Sequence, residues 1–256
     1  MSLSNLYPSL HGQVVFITGG ATGIGSCLVE SFALQGAKVV FVDVLVNESI
    51  ELVTTLKEQN TNPEVYFDEC DLTNIDKLKQ IMEEVEEKIG AISVLVNSAA
   101  NDTRHQFQEV TAADWDRCIN INLRHYFFAI QSVHKQMVTN GGGSIINMGS
   151  MSWHDHQGGM PGYTAAKAGV VGLTRGFASE LGKDNIRINT ITPGWVMTKR
   201  QLTHWVNENT VKKIEDNQCI KDYVMPEDIA AMVLFLASDD SKLCTAQDFV
   251  VDGGWI

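Results

Sequence analysis

Basic residues, paired cysteines and long apolar runs are all scarce in this sequence of 256 residues. It has 19 Lys and Arg against 31 Asp and Glu, which gives a formal net charge of −12. Such a chain cannot readily neutralise a run of phosphates, so nucleic acid is disfavoured as a partner. The five cysteines are odd in number and contain no C-x-x-C pair, which indicates reduced thiols instead of a disulfide framework.

Signals for export and for membrane insertion are also missing. The apolar runs, such as Val14–Thr18, are far shorter than the roughly 20 residues that a membrane-spanning helix needs. The segment Met1–Gly12 has neither the basic start nor the apolar stretch of a secretory signal. We therefore expect a cytoplasmic protein that has no membrane partner.

What the sequence does have is an alternation of short β-branched runs with longer amphipathic stretches. Continuous apolar strands separated by helices predict a parallel sheet with helices on both faces. The right-handed crossover rule makes this an α/β fold, a doubly wound Rossmann-type sheet of seven strands. The predicted strands are Val14–Thr18, Val39–Asp43, Val65–Phe67, Val94–Asn97, Ser144–Met148, Ile186–Ile191 and Phe249–Asp252. The predicted helices are Ile24–Gln35, Glu48–Gln59, Asn74–Ile89, Ala112–Val138, Tyr163–Leu181 and Pro226–Ala237.

Two segments interrupt this alternation, and both follow the carboxyl ends of strands, where doubly wound folds bind ligands. Met151–Gly162 precedes a helix, and Thr198–Val224 follows the sixth strand. The chain shows no linker, low-complexity tract or internal repeat. It therefore predicts one domain over residues 1–256, with a mobile lid at residues 198–224.

A glycine-rich turn follows the first strand and reads Thr18-Gly19-Gly20-Ala21-Thr22-Gly23-Ile24-Gly25. Such a turn lets the backbone approach a pyrophosphate while the N-terminus of the next helix faces the negative charge. Asp43 ends the second strand, where a carboxylate would reach the ribose hydroxyls of an adenosine. That carboxylate would repel a 2′-phosphate, and no Arg or Lys follows immediately. The sequence therefore favours NAD over NADP as the cofactor.

Four polar residues suggest acid–base chemistry. Tyr163 and Lys167 are four residues apart at the start of a helical pattern, so they share one helix face. An ammonium beside a phenol stabilises the phenolate, which makes Tyr163 a candidate acid–base group. Ser150 ends the fifth strand, where its hydroxyl could bond a reacting oxygen. Asn122 lies in the long fourth helical region, and an ordinary polar role facing solvent stays open for it.

Taken in order, these motifs resemble the short-chain dehydrogenase/reductase family over essentially the whole chain. The resemblance implies a catalytic tetrad of Asn122, Ser150, Tyr163 and Lys167. It also implies a set of NAD-binding residues, namely Gly19, Thr22, Gly23, Ile24, Gly25, Asp43, Asp71, Leu72, Asn97, Ala99, Tyr163, Lys167, Pro193, Gly194, Val196 and Thr198. One departure is Asn97-Ser98-Ala99-Ala100, where the family usually has N-N-A-G. We expect a tolerated local adjustment at the Ala100 methyl.

Within that family, several loops resemble those of bacterial sugar 1-dehydrogenases, above all those that act on D-xylose. The resembling pieces include Asn101-Asp102-x-Arg104-His105 and Lys199-Arg200-Gln201. A sugar site needs many hydrogen-bonding side chains and a flat apolar face. The residues expected at the substrate are Asn101, Arg104, Ser150, Trp153, His154, Tyr163, Trp195 and Gln201, with Trp205 on the same loops. His154-Asp155-His156 has no identifiable third ligand, so no metal is expected.

These residues predict NAD-dependent oxidation of the anomeric hydroxyl of an aldose to its lactone, with Tyr163 as the base. The sugar would be D-xylose, L-arabinose or a galactose-like aldose. Two alternatives stay open, an NAD(P)H-dependent reductase of ketones or 3-oxoacyl thioesters, and a dinucleotide-binding protein without catalysis. The family resemblance also implies a homo-oligomer, a dimer or a tetramer, that is assembled through Ala112–Val138, Tyr163–Leu181 and the C-terminal strand.

Overall fold

Across residues 5–59, 64–156 and 158–256, which the computed structural model describes, seven strands form one parallel sheet. In chain order these are β1 (Val14–Thr18), β2 (Lys38–Asp43), β3 (Val65–Glu69), β4 (Val94–Asn97), β5 (Gly143–Met148), β6 (Ile186–Pro193) and β7 (Asp248–Val251). Their order across the sheet is β3-β2-β1-β4-β5-β6-β7, which confirms the predicted doubly wound fold. The strand order reverses between β1 and β4, and such a switch point is where these sheets bind ligands.

Helices cover both faces of the sheet. Those in the described residues are α1 (Gly23–Leu34), α2 (Val46–Glu58), α3 (Ile75–Lys88), α4 (Ala112–Ile119), α5 (His125–Thr139), α6 (Pro161–Leu181), α7 (Lys199–His204), α8 (Glu208–Asn217) and α9 (Pro226–Ala237). One apolar layer holds residues of α1, α2 and α9, and the other holds residues of α3, α5 and α6. Strand β1 supplies both layers, since successive strand residues point to opposite faces: Val15 and Ile17 lie in the first layer and Phe16 in the second.

The prediction of one long helix over Ala112–Val138 is wrong in one respect. A π-turn at Asn120–Arg124 divides it into α4 and α5. The extra residue of a π-turn shifts the phase of the apolar pattern by about 100° but leaves its period the same in α4 and α5, so a period read over the whole stretch does not separate the two helices. The other predicted helices and the predicted strands agree with the structure to within two residues at each end.

The segment at residues 198–224, predicted as a mobile lid, contains the two short helices α7 and α8. Each begins at a residue whose side chain caps it: Thr198 accepts from the Gln201 amide, and Asn207 accepts from the Thr210 amide. In the predicted loop Met151–Gly162, a 3₁₀ turn forms at Met151–Trp153.

Some predicted features fall partly outside the described residues. The described residues do not include residues 1–4, which belong to the N-terminus predicted to lack a secretory signal, or Gln157, which belongs to the predicted loop Met151–Gly162. In the part of the chain that is described, none of the helices combines the length and apolarity required to cross a bilayer.

Candidate active site

A cleft of about 790 Å³ opens at the carboxyl ends of β1, β2, β4, β5 and β6. It brings together most of the residues predicted for cofactor and substrate. Those that line it are Gly19, Thr22, Gly23, Ile24, Gly25, Asp43, Asp71, Leu72, Ala99, Asn101, Arg104, Ser150, Tyr163, Lys167, Pro193, Gly194, Trp195, Val196, Thr198 and Gln201. Five predicted residues lie away from its lining, namely Asn97, Asn122, Trp153, His154 and Trp205. The roles of all these residues stay predictions at this point.

The glycine turn forms a tight cradle at one end of the cleft. Gly19 and Gly23 have φ angles of +73° and +60°, which side chains rarely adopt. A Cβ atom on Gly25 would lie 1.8 Å from the Gly19 carbonyl oxygen, so the backbone approaches itself too closely for any other residue. Helix α1 starts in this turn and its first residues line the cleft, so a helix N-terminus of the kind that binds phosphate groups lies at this end.

Two carboxylates flank this cradle. The Asp43 carboxylate accepts hydrogen bonds from the amides of Ala21, Val44 and Leu45, at 3.0, 2.8 and 3.1 Å, which fixes it at the end of β2. Asp71 accepts hydrogen bonds from the amide and the hydroxyl of Thr73. The hydrogen bond from the Thr73 amide is the main cause that lowers the pKa of Asp71. Ala100, which also lines the cleft, has no positive φ, so its methyl group introduces no backbone strain.

Lys167 lies at the middle of the cleft with its ammonium held from two sides. Its Nζ donates to the Met148 carbonyl at 2.7 Å and to the Tyr126 hydroxyl at 2.9 Å. The side chain is almost completely buried, and burial lowers the pKa of Lys167 to about 7. The same ammonium lies 5.7 Å from the centre of the Tyr163 ring, which places the two predicted acid–base residues side by side.

Tyr163 and Ser150 lie within hydrogen-bond reach of each other in the cleft. Burial raises the pKa of Tyr163 to about 12, whereas a hydrogen bond from Ser150 favours the phenolate and lowers it. Ser150 follows β5 and its Oγ accepts from the Ser152 amide at 3.2 Å, which leaves its hydroxyl proton to be donated elsewhere. An ionised Tyr163 therefore depends on positive charge supplied beside it.

The side chains of the two predicted asparagines form hydrogen bonds that support the walls of the cleft. Asn97 is fully buried and donates to Asn147 across neighbouring strands. Asn122, inside the π-turn, accepts from the Asn101 amide at 2.8 Å and donates to the carbonyls of Asn101 and Cys118. Its side chain therefore holds the loop after β4 against the helix.

The outer end of the cleft is closed by contacts between α7 and the loop after β4. Asp102 accepts from Gln201 Nε2 at 2.8 Å and from Arg200 Nε at 3.1 Å. Arg104 contacts the Met160 sulfur and lies 5.1 Å from the centre of the Trp205 ring. The sequence reasoning did not single out Asp102 or Arg200 as site residues, although both stand inside motifs that carried the family resemblance.

Trp153 and His154 stack on each other, with ring centres 3.5 Å apart, beside the cleft. The next residue, Asp155, accepts from Lys213 on α8 at 2.7 Å and from the Trp255 indole at 3.2 Å. These contacts tie the loop after β5 to α8 and to the C-terminal segment. In the described part of the chain, no group of three His, Cys, Asp or Glu side chains is arranged to hold a metal ion.

The sheet order, the glycine cradle and the adjacent Tyr–Lys pair define a Rossmann-type oxidoreductase. A family model described as "Enoyl-(Acyl carrier protein) reductase" matches residues 19–256. The chain belongs to the short-chain dehydrogenase/reductase family, whose members use a nicotinamide cofactor.

Two relatives cover almost the whole chain. The D-xylose 1-dehydrogenase of Caulobacter vibrioides is 45% identical over 252 residues, which are 98% of this chain and 99% of the relative. A Rhizobium meliloti protein named "Probable galactose dehydrogenase" is 41% identical over 251 residues, 98% of each chain.

Solved structures give the same fold. A 7α-hydroxysteroid dehydrogenase complexed with NADH and 7-oxo glycochenodeoxycholic acid superposes with a TM-score of 0.91 at 30% identity, covering 98% of this chain and 96% of its own. The L-sorbose reductase of Gluconobacter frateurii, complexed with NADPH and L-sorbose, gives a TM-score of 0.90 at 26% identity, with 98% of each chain covered.

Proposed function

We propose that this protein oxidises the anomeric hydroxyl of a cyclic aldose to the lactone, with NAD as its cofactor. The observation that carries this proposal is the similarity, over nearly the full chain, to two relatives named as sugar dehydrogenases. The polar outer end of the cleft supports it, because Asn101, Arg104 and Gln201 offer the hydrogen-bonding groups that sugar hydroxyls require. D-xylose, L-arabinose and galactose-like sugars are the aldoses to test.

The choice of NAD over NADP follows from the adenosine end of the cleft. Only glycine fits at position 25, so the turn packs tightly on itself. Helix α1 begins in this turn, and a helix N-terminus suits the pyrophosphate of the cofactor. Beyond it, the Asp43 carboxylate is fixed where ribose hydroxyls would be bound and where a 2′-phosphate would be repelled. The residues that would hold NAD are those of the glycine turn together with Asp43, Asp71, Leu72, Ala99 and the segment Pro193–Thr198. Asn97, which is fully buried and does not line the cleft, is not among them.

In this proposal Tyr163 removes the proton of the anomeric hydroxyl, and the Lys167 ammonium beside it stabilises the phenolate. The Ser150 hydroxyl donates to the substrate oxygen and stabilises the charge that develops on it. The chemistry that bound NAD supplies is acceptance of a hydride from the sugar. By analogy with the family, Asn122 is proposed to position a water that relays the proton through Lys167 to solvent.

The test is the rise in NADH absorbance when the purified protein is mixed with NAD or NADP and a panel of aldoses, secondary alcohols and ketones. We expect turnover with NAD and one or two aldoses. Tyr163→Phe should lower kcat about 10²- to 10⁴-fold, the usual contribution of a general base, while NADH binding stays close to that of the wild type. Full activity in Tyr163→Phe would contradict the assignment of the base.

A reductase of ketones or 3-oxoacyl thioesters is the second candidate. It is favoured by a 3-oxoacyl-[acyl-carrier-protein] reductase of Thermotoga maritima that is 34% identical over 249 residues, 96% of this chain and 99% of the relative. Asp43 argues against the NADPH that such a reaction would use. Turnover confined to ketones or thioesters with NADPH would establish this candidate instead. The other alternative, a dinucleotide-binding protein without catalysis, is not supported, because the chain belongs to a family of oxidoreductases.

We further propose a cytoplasmic homo-oligomer, a dimer or a tetramer, built from single-domain subunits in which residues 198–224 act as a lid. Exposed aromatic side chains on α4 and α5, Trp115 and Phe127, suit a surface that another copy covers. Light scattering coupled to size-exclusion chromatography would measure the assembly. A monomer at micromolar concentration would contradict this proposal.

A further inference from the structure

A second tyrosine contacts the buried lysine of the active site. Tyr126, on α5, is completely buried, and its hydroxyl donates to the Met148 carbonyl at 3.1 Å. Lys167 Nζ lies 2.9 Å from this hydroxyl and 2.7 Å from the same carbonyl. Tyr126, Lys167 and Met148 therefore form a closed triangle of hydrogen bonds below the floor of the cleft.

The donor and acceptor roles in this triangle follow from chemistry. An ammonium has three N–H donors and no acceptor, so the Tyr126 oxygen must accept from Lys167. The Tyr126 hydroxyl proton is then free to point at the Met148 carbonyl. Burial raises the pKa of Tyr126 far above its ordinary value, so Tyr126 remains a neutral phenol at working pH. Two ammonium protons are thus engaged, and the third is left for the cleft that Lys167 lines.

The ammonium has few other sources of stabilisation. Within residues 5–59, 64–156 and 158–256, no carboxylate lies at ion-pairing distance from Lys167. The neighbouring His125 is buried, and burial lowers its pKa to about 3, so it contributes no charge. A desolvated charge without an opposite charge depends on its hydrogen bonds to remain ionised.

We infer that Tyr126 is a positioning residue that keeps Lys167 protonated and directs its remaining N–H toward Tyr163. Tyr126 itself touches no reacting atom. Its effect on catalysis rests on the proposed function, in which the Lys167 ammonium stabilises the Tyr163 phenolate. Its effect on Lys167 does not depend on which substrate is used.

The direct experiment measures Lys167 in protein without nucleotide. Lysines are labelled with ¹³C at Cε, the Lys167 signal is assigned by its loss in Lys167→Arg, and its chemical shift is followed against pH. Tyr126→Phe removes one hydrogen bond to the charged form, so the pKa of Lys167 should fall by roughly one to two units. The matched control is Tyr66→Phe, which deletes the same hydroxyl on the edge strand β3, outside the lining of the cleft, and should leave that pKa unchanged.

The pH profile of kcat/KM gives the second readout. The active form carries the Tyr163 phenolate and the Lys167 ammonium; the competing form with the same number of protons carries a neutral phenol and a neutral amine. At low pH both populated forms contain the ammonium, so Tyr126→Phe should match the wild type. At higher pH a lower Lys167 pKa favours the competing form with the neutral amine. The plateau of kcat/KM in Tyr126→Phe should therefore lie roughly tenfold to a hundredfold below that of the wild type, and it should be reached at a pH one to two units lower.

The groups that face this region are Tyr163 on the same helix, Tyr126 and His125 on α5, Asp102 and Arg104 after β4, and Cys118 on α4. None of them is altered in charge by Tyr126→Phe, so a shift is attributable to the lost hydroxyl. Thermal unfolding monitors the fold of each variant.

Two results would overturn the inference: an unchanged Lys167 pKa in folded Tyr126→Phe, or an equal loss of activity at every pH, which marks a purely structural role. Failure of the proposed function appears differently. In that case the wild type turns over no aldose, while the lysine signal still responds to Tyr126→Phe.

Discussion

Gly25→Ala is the substitution whose effect the structure defines most sharply. The new Cβ would lie 1.8 Å from the Gly19 oxygen, whereas ordinary contact begins at 3.4 Å, so the turn must move by about 1.6 Å. It has little room to do so, because Gly19 lies against Ala99 and Gly20 lies against the ring of Phe41. The three atoms nearest to the new Cβ are the Gly19 oxygen, the Gly19 carbonyl carbon and the Gly20 Cα, and all of them belong to the backbone.

Overpacking of this kind costs about 3 kcal/mol or more when neighbours cannot yield. For a chain of this size, that corresponds to a Tm lower by roughly 6 to 12 °C. Because the amides of the same turn face the proposed pyrophosphate site, the affinity for NADH should fall at least about a hundredfold as the turn moves. Differential scanning fluorimetry and a titration of NADH fluorescence measure the two effects.

The matched control is Gly182→Ala. Gly182 is exposed, has an ordinary helical φ of −61°, and has nothing within 4 Å of the position of its Cβ. Alanine there should stabilise the protein by roughly 0.4 to 1 kcal/mol through the unfolded state. Wild-type NADH affinity and an unchanged Tm in Gly25→Ala would refute the reasoning.

Three further predictions concern other parts of the molecule. Asp43→Ala should raise the KM for NAD about tenfold or more, because charge-assisted hydrogen bonds to the ribose are lost. It should also lower the ratio of kcat/KM with NAD to kcat/KM with NADP. If that ratio is unchanged, the ribose is recognised by other residues. Asp102→Ala removes both contacts to α7. Because the Arg200 side chain of this ion pair is half exposed, the pair contributes only about 0 to 1 kcal/mol, so the Tm should barely change while the KM for the sugar rises several-fold. A large drop in Tm would argue instead for a structural role. Burial raises the pKa of Cys27 to about 12 and that of Cys70 to about 11, so at pH 8 a thiol reagent followed by mass spectrometry should modify the exposed Cys219 and leave these two intact until unfolding; early labelling of Cys27 would contradict its burial.

Strands with buried β-branched residues were the features most readily predicted. β1 and β4 have the predicted bounds because both faces of the sheet are covered, so every position in them is apolar up to the polar residue that ends each strand. Helices α7 and α8 were not predicted because they are short and bury little apolar surface. Ile214 is the one buried residue of α8. Their capping residues, Thr198 and Asn207, were the available signal.

Within the site, residues fixed by a local motif were predicted and residues fixed by long-range contacts were not. The glycine turn and the Tyr163–Lys167 pair are short-range patterns that survive in one sequence without an alignment. The partners of Tyr126 lie 22 and 41 residues away, and those of Asp102 lie 98 and 99 residues away. No spacing rule connects such residues, because only the folded sheet brings the loops and helices together.

The π-turn at Asn120–Arg124 sets the rotational phase of everything that follows it on α5. Each residue of an α-helix advances the side-chain direction by about 100°, so the one extra residue of the turn rotates all later positions by that angle relative to α4. If one residue were deleted there and regular helix restored, Tyr126 would rotate out of line with Lys167, and the apolar face of α5 would rotate out of line with the sheet. A single inserted residue thus lets one helical segment present an asparagine to the loop after β4 and, one turn later, a phenol to the lysine on α6.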